Sequence, residues 1–398
     1  MLELFAVRGQ LAVTLLVHAT VAATTLSASL LAADAHHRGD DGDHWQERAA
    51  LGAKVSVATG ALVLAQLPVF WWEAVRMAGP AVVAPLLVAF GLVVARAGLL
   101  GRAVDGKAAL PATLLGCGSG LVGLLVLAWL ATPHLAVVAD DGSLTVPFLA
   151  VWTNPSGWAR VVHVGLAGLA VGGGLLAAGS ARRGKAGAQR RALVFTVLAL
   201  GLQPVAGMLS WRDVGQHQPV KAAAIGAQWK SQAAADIVLG AWAYDFGEFT
   251  RGGVRIDGAL SQLIHGDRAA EVAGLLEFPM EARPPVAGLH VAHQGMMLMG
   301  VFALLTAGVG YIRARRGKAS RWLLGLGLVP TTLAAWTFGW FVAEMGRQPW
   351  AIRDVLLHGD ATWLPRGVAP ASFVVLVLLS VGLAAVMVRG CRRLGRAS

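Results

Sequence analysis

Glu344 and Arg347 stand three residues apart at the end of a long apolar stretch, in the run Gly339-Trp340-Phe341-Val342-Ala343-Glu344-Met345-Gly346-Arg347-Gln348-Pro349-Trp350. An ionisable residue at membrane depth is costly and marks a candidate functional site. A carboxylate there must be paired, protonated or coordinating. Two chemistries are open to this one. Arg347 can close a helix-end ion pair, after which Pro349 ends the helix and Trp350 anchors it at the interface. Alternatively Glu344 ligates a metal, and the planar guanidinium of Arg347 holds a carboxylate of the cofactor. His18, His163 and Met296 also lie in apolar stretches. Imidazole is the commonest metal ligand, and a thioether joins it on haem iron and raises the reduction potential. His163 and Met296 on different helices would clamp one haem from both faces. His290 and His293, within two turns of Met296, keep a bis-histidine alternative open.

The elements that must position these groups are membrane helices. The chain has 398 residues, is 56% hydrophobic and only 14% charged, with a mean hydropathy of +0.62; soluble domains carry roughly 25% charged residues. The apolar excess falls into stretches of about 20 residues, the length that crosses a bilayer. We read an all-α polytopic bundle of nine spans, near 9–33, 50–72, 79–100, 109–132, 156–179, 191–210, 288–312, 321–345 and 369–389. The first stretch lacks a basic leader and a small-residue cleavage site, so no cleavable signal peptide is expected. The domain organisation is then 1–210 with six spans, a long polar region 211–287, and 288–398 with three spans and a basic tail. Part of the polar region, Lys221 to Gln232, reads as a short helix.

A net charge of +11 does not call for nucleic acid, because the basic residues cluster in alternate loops. One cluster is Arg96, Arg102 and Lys107; others are Arg182 to Arg191, Arg313 to Arg321, and Arg389 to Arg396. Residues 133–156 hold no Lys or Arg. The positive-inside rule places the basic loops in the cytoplasm. The N-terminus and residues 211–287 are then outside and the C-terminus inside. His18, His163 and Met296 lie about seven to nine residues from the outer ends of their spans, ~10–14 Å down at ~1.5 Å per residue. The first loop, with His36, His37, Asp40, Asp41, Asp43 and His44, reads as a solvated loop before it reads as a metal site. Cys117 and Cys391 form no CxxC, zinc or disulfide pattern.

The chain carries the motifs Arg8-x-Gln10-x-Ala12-x-Thr14-x-x-x-His18, Trp152-Thr153-Asn154-Pro155 through His163, Gln294-Gly295-Met296, the run Gly339–Trp350, and Gln218-x-x-Lys221-x-Ala223-Ala224-Ile225-x-Ala227-x-Trp229. On these it resembles subunit I of cytochrome bd, the haem-containing quinol oxidase of prokaryotic inner membranes. The resemblance implies His163 and Met296 on a low-spin haem b. It implies His18 and Glu344 at a high-spin pair made of haem b with haem d or a third haem b, with Arg347 and Arg8 near these groups. It implies a quinol-binding loop containing Lys221, Gln218 and Trp229, with His217 beside it. A second membrane subunit, and a small accessory subunit, would be partners, with the bilayer as solvent and oxygen as acceptor.

The departures are equally specific. The family carries two glutamates in its third helix, and Pro85 and Val93 stand in their places. Gln294 replaces the family's Arg before the Met, and Gly226 replaces the acidic partner of the loop Lys. Three functions are therefore weighed: a divergent terminal oxidase, a haem electron carrier that takes electrons from quinone or an external cytochrome, and a non-redox transporter. Midplane charges on broken helices would mark the last, and the ionisable residues cluster at the outer side instead.

Overall fold

The computed structural model describes residues 2–40, 43–102, 107–140, 143–318, 320–363 and 367–397. Among them nine helices are long and apolar enough to cross a membrane. In chain order these begin with α1 (Leu2–His37), α2 (Asp43–Phe70), α3 (Trp72–Arg102) and α4 (Ala109–Ala131). A two-residue hairpin follows, β1 (Val137–Val138) with β2 (Leu144–Thr145), then α5 (Pro155–Arg182) and α6 (Ala186–His217). The region between α6 and the next span holds α7 (Pro219–Gly226), β3 (Gln232–Ala233), β4 (Ile237–Tyr244), β5 (Phe249–Ile256), α8 (Ala259–His265) and β6 (Glu271–Val272). Then come α9 (Val286–Arg315), a π-helical turn (Leu323–Leu328) running into α10 (Val329–Met345), β7 (Trp350–Ile352), β8 (Leu356–Leu357), α11 (His358–Ala361) and α12 (Val368–Ala397).

Most helices overrun the expected spans, whereas α4 and the end of α10 fall where expected and α2 stops at Phe70, short of 72. α6 continues through Ser210 to His217, and α1 reaches His37. Hydropathy marks only the part of a helix in hydrocarbon, and polar turns can extend the helix beyond it. α3 bends at Gly79, whose backbone (φ 63°, ψ −169°) lies outside the helical region just before Pro80; proline disfavours a helical residue before it. The helix expected over Lys221–Gln232 is shorter. It starts at Pro219 and ends at Gly226, where Ala227 turns left-handed (φ 50°) and Gln228 N closes onto Ala223 O at 2.8 Å. That is the usual way a helix releases its last carbonyls.

Alternation of the spans puts the basic segments at one end of the bundle, here the basic end. The ion pair of Arg191 with Asp40 joins the start of α6 to the segment after α1 there. Asp41 lies outside the described residues, and among those described no group of three His, Cys, Asp or Glu side chains is gathered as for a metal. The opposite, loop end carries α7, α8, α11 and four two-stranded sheets. Of these, β4 and β5 pair from Ile237↔Ile256 to Tyr244↔Phe249.

Small residues set the helix spacing, as they do where no hydrophobic force separates helix from lipid. α5 packs on α1 and α6 through Gly172 and Gly173. A Cβ at Gly172 would meet Ser27 Oγ at 2.3 Å and Ala23 O at 2.6 Å, and one at Gly173 would meet Thr196 Oγ1 at 2.5 Å. Hydroxyls inside α1 bond back to the previous turn: Thr20 to Leu16 O at 2.7 Å, Thr25 to Val21 O at 2.7 Å and Ser29 to Thr25 O at 3.1 Å. Gly172→Leu should therefore collapse the monodisperse yield of purified protein, read by size-exclusion chromatography. Gly165→Leu on the same helix, where a Cβ meets nothing within 4 Å, should leave it unchanged.

Candidate functional site

α10 ends with Glu344 still on its helical face, and Arg347 follows one turn later. Arg347 Nη2 donates to Glu344 Oε2 at 2.8 Å. The arginine side chain is only 9% exposed, and its Nε is buried with no partner in the protein. The chain then folds back through β7 and β8, which places a residue the sequence did not flag. His358 is buried, and its Nδ1–H donates to Pro349 O at 2.8 Å, the same carbonyl that accepts His358 N at 3.0 Å. Its ring meets Trp71 edge-on at 5.5 Å. Arg353 N is anchored to Leu130 O at 3.1 Å, which ties this segment to α4.

Cations from three further elements converge here. Arg8 of α1 and Arg160 of α5 both lie within electrostatic reach of Arg347 and Glu344. Arg160 Nη1 donates to Leu127 O at 2.7 Å. Lys221 of α7 is buried and lies across Gly346, where a Cβ would sit 2.5 Å from its Cε. A glycine at position 346 is what lets the lysine reach the end of α10. Burial pushes the Lys221 ammonium down to about 7, and repulsion from Arg160 and Arg353 adds to it while Glu344 opposes. Burial, with repulsion from Arg347, likewise holds His358 down at about 4, against the pull of its Pro349 bond. His358 is therefore neutral at pH 7, with Nδ1–H committed and Nε2 left as acceptor.

His18 sits deeper, between α1 and α2. Its Nδ1 is 3.0 Å from Thr59 Oγ1, and the Thr59 hydroxyl gives its own proton to Val55 O at 2.9 Å. The hydroxyl oxygen must then accept from Nδ1–H, which leaves the lone pair on Nε2. A histidine that ligates a metal has this arrangement. His163 on α5 has a buried Nδ1 without a partner, and Gln203 Nε2 donates to its backbone carbonyl at 3.1 Å. Met296 lies on α9, which packs with α10 and α6. Each of the three rests on a glycine of a neighbouring helix. A Cβ would come within 3.1 Å of His18 Cε1 at Gly60, 3.9 Å of His163 Cε1 at Gly207 and 3.3 Å of Met296 Sδ at Gly339. An imidazole with a free nitrogen, a thioether, and unpaired buried guanidinium nitrogen nearby make a donor set that fits haem and its propionates.

The competing histidines are spent. His290 Nδ1–H donates to Ile225 O at 2.8 Å, and its other nitrogen meets Gln294 Nε2. His293 Nε2 accepts from Trp211 Nε1 at 3.0 Å, which argues against the bis-histidine alternative. Of the loop residues, only Lys221 reaches the Glu344–Arg347 pair. His217 is tied to Asp213 one turn back, at 3.1 Å, and is part-exposed. Gln218 is buried at the α6–α7 joint and donates to Thr132 Oγ1 at 3.2 Å. Trp229 spends its indole N–H on Thr250 Oγ1 at 3.0 Å, fastening the β4–β5 hairpin over the loop.

Comparisons with known proteins agree on one family. The family model for cytochrome bd terminal oxidase subunit I matches residues 7–398. A putative cytochrome bd menaquinol oxidase subunit I of Bacillus subtilis is 27% identical over 180 residues, 43% of this chain and 40% of that protein. A cytochrome bd ubiquinol oxidase subunit 1 of the same organism is 24% identical over 234 residues, 52% of this chain and 49% of that one. The match thus spans about half or less of the length of these curated relatives. The structure of bd oxidase from Geobacillus thermodenitrificans superimposes with a TM-score of 0.88 at 23% identity, covering 100% of this chain and 99% of that one. At that identity it establishes the fold.

The depressed Lys221 has a measurable consequence. Its pKa falls from 10.5 in the unfolded chain to about 7 when folded. The unfolded state therefore binds more protons between those values, and stability rises with pH across that window. Below pH 7 the lysine is charged in both states and its burial costs the most. Lys221→Met should accordingly raise the apparent Tm most at pH 6, and the gain should shrink towards pH 10. A gain independent of pH would mean that Lys221 is not titrating in the fold.

Proposed function

Because the chain belongs to the cytochrome bd terminal oxidase subunit I family, we propose that it is the haem-bearing subunit of a membrane oxidase that takes electrons from quinol and reduces oxygen to water. The observation that carries this reading is the convergence of Lys221 with the Glu344–Arg347 pair at the loop end. It joins the residues expected for donor binding to those expected for the high-spin site. In this reading the basic end faces the cytoplasm of a prokaryotic inner membrane. Residues 211–287 form the external donor loop between two helical parts, 1–210 and 288–398. A second membrane subunit and a small accessory subunit complete the complex.

His163 and Met296 would hold a low-spin haem b, and His18 and Glu344 a high-spin pair of haem b with haem d or a third haem b. Bound haem supplies a one-electron relay and, at the high-spin site, a place for oxygen to bind. The chain's own contribution is positional and electrostatic. Thr59 fixes the His18 tautomer so that Nε2 keeps its lone pair. Arg347, with Arg8 and Arg160 close by, offers cationic charge that one glutamate does not balance, and haem propionates would meet it. Planar guanidinium matches a carboxylate in two-point geometry.

Lys221 is the best-placed base for quinol oxidation. A base works best with a pKa near the operating pH, and burial has brought this amine there. As a neutral amine it would take the proton of a quinol hydroxyl as the electrons leave towards the low-spin site. His217 is held by Asp213 and serves at most as the next acceptor outward. A second reading is favoured by one observation. Residues 79–100 of α3 contain no carboxylate, and Glu73, before the kink, is exposed and paired with Arg76. A haem carrier that passes electrons without reducing oxygen would need no proton supply at that helix.

Three measurements test this. Pyridine haemochrome analysis and redox difference spectra of the purified complex should show low-spin and high-spin haem, with quinol-dependent oxygen uptake. Normal spectra without uptake for any donor would establish the carrier reading instead. Met296→Leu should abolish the low-spin signature while sparing high-spin haem, whereas His18→Ala should do the reverse. Lys221→Ala should lower quinol oxidation by about a hundredfold or more, the range typical of a lost general base, and leave the haem spectra intact. The wild-type rate should climb with the neutral fraction of Lys221 as pH passes about 7; a rate that falls through that window would make Lys221 a cationic anchor instead.

A further inference from the structure

A groove of ≈ 270 Å³ opens at the basic end, lined by Arg182, Arg321, Trp322, Gly325 and Leu326. Arg182 is the last residue of α5, and the others lead into and form the π-helical turn before α10. π-helical turns inside α-helices are frequent at functional sites. Gly325 lies beneath Arg182, and a Cβ there would be in ordinary contact with Arg182 Nη2 at 3.6 Å, so a longer side chain at this position would enter the groove. Arg321 holds its guanidinium 5.3 Å from the Trp322 ring centroid. Trp322 is 67% exposed and Leu326 72%.

The charges at the mouth are uncompensated. Ion pairs near this end join Arg38 to Asp34 and Arg191 to Asp40. Among the described residues neither Arg182 nor Arg321 has a carboxylate partner. Two guanidiniums above an apolar floor, at the boundary between bilayer and water, ask for a ligand that is anionic at one end and aliphatic at the other. Basic pockets between spanning helices on the cytoplasmic side hold anionic lipid headgroups, and tryptophan sits at headgroup level.

We propose that this groove is a binding site for an anionic phospholipid, with its phosphate between Arg182 and Arg321 and an acyl chain over Trp322 and Leu326. Free phosphate would meet the arginines but leave the apolar floor uncovered. The site depends on the membrane-spanning fold alone, so its fate is separate from that of the oxidase reading.

Native mass spectrometry of the complex in detergent tests this, with dioleoyl phosphatidylglycerol and dioleoyl phosphatidylcholine added in turn. The acyl chains are the same, so only the headgroup differs. The wild type should retain the anionic lipid with about tenfold higher occupancy or more, as expected for two basic contacts at a membrane surface. The double variant Arg182→Gln/Arg321→Gln should lose that preference. Arg190→Gln/Arg392→Gln, which removes two exposed charges outside the groove, should keep it. Gly325→Leu fills the groove without changing charge and should lower occupancy, and excess inorganic phosphate should not displace the lipid. The site is refuted by equal retention of both lipids in the wild type, by an unchanged preference in Arg182→Gln/Arg321→Gln, or by an equal loss in the surface control. It is also refuted by undiminished occupancy in Gly325→Leu, and displacement by phosphate alone would reduce it to an anion site.

Discussion

Buried positive charge is the constraint on which the loop end depends. Arg8, Arg160, Lys221, Arg347 and Arg353 arrive from α1, α5, α7 and the segment after α10 around the half-buried carboxylate of Glu344, with Asp213 near Arg160 and Asp354 paired to Arg353. Each would be better solvated in water, and in a low-dielectric interior their mutual repulsion is larger still. The fold answers in three ways. Glu344 pairs with Arg347. Arg160 and Arg347 reach backbone carbonyls, at 2.7 Å and 3.5 Å. Lys221 becomes neutral near pH 7. A surplus remains, and the Arg347 Nε–H is buried with no partner. Anionic groups carried by a bound cofactor would complete the balance, and for this reason we read the cluster as a holder of propionates rather than as a stabilising ion-pair network. A buried ion pair contributes little net stability by itself.

Hydrogen bonds sort the histidines better than depth does. From the sequence, His18, His163, His290 and His293 are equivalent imidazoles on apolar helices. In the fold, His290 has both nitrogens engaged, and His293 has given its Nε2 lone pair to Trp211. His18 has its Nδ1–H fixed by a threonine whose own proton is already committed. The glycines at 60, 207 and 339 carry the same information from the other side. They remove bulk beside His18, His163 and Met296, and nothing in the sequence distinguishes them from the many glycines that only allow helices to pack.

The spans were legible because their signal is a single physical quantity, apolar length. Their ends were less so, because α6 and α1 carry polar turns beyond the hydrocarbon. The end of α7 was marked by Gly226, but Ala227, Gln228 and Lys230 after it are good helix formers and masked the stop. The Glu344–Arg347 run was legible because a charge in an apolar stretch stands out. His358 and Arg353 were not, since they follow the span in a polar segment of ordinary composition. Only the return of the chain through β7 and β8 brings them under α3 and α4, where His358 meets Trp71 and Arg353 meets Leu130.

The interiors of α1, α2 and α3 decide how far the oxidase reading can rest on this chain alone. Their carboxylates, Glu3, Asp34, Asp43, Glu47 and Glu73, all lie at helix ends. Hydroxyls are plentiful inside, but Thr20, Thr24, Thr25, Ser29, Ser56 and Thr59 each give their proton to the carbonyl of the previous turn. A hydroxyl so committed supports its helix and must break that bond before it can relay a proton. Arg96, buried near the basic end, donates to Ser29 Oγ at 2.7 Å and, being permanently cationic, repels protons rather than passing them. Carboxylate and histidine chains are the usual intramembrane relays, and away from their ends the described part of these three helices provides His18 alone. If oxygen is reduced at a site held by His18 and Glu344, these three helices leave its protons to a path built elsewhere, along other helices of this chain or with residues of another subunit.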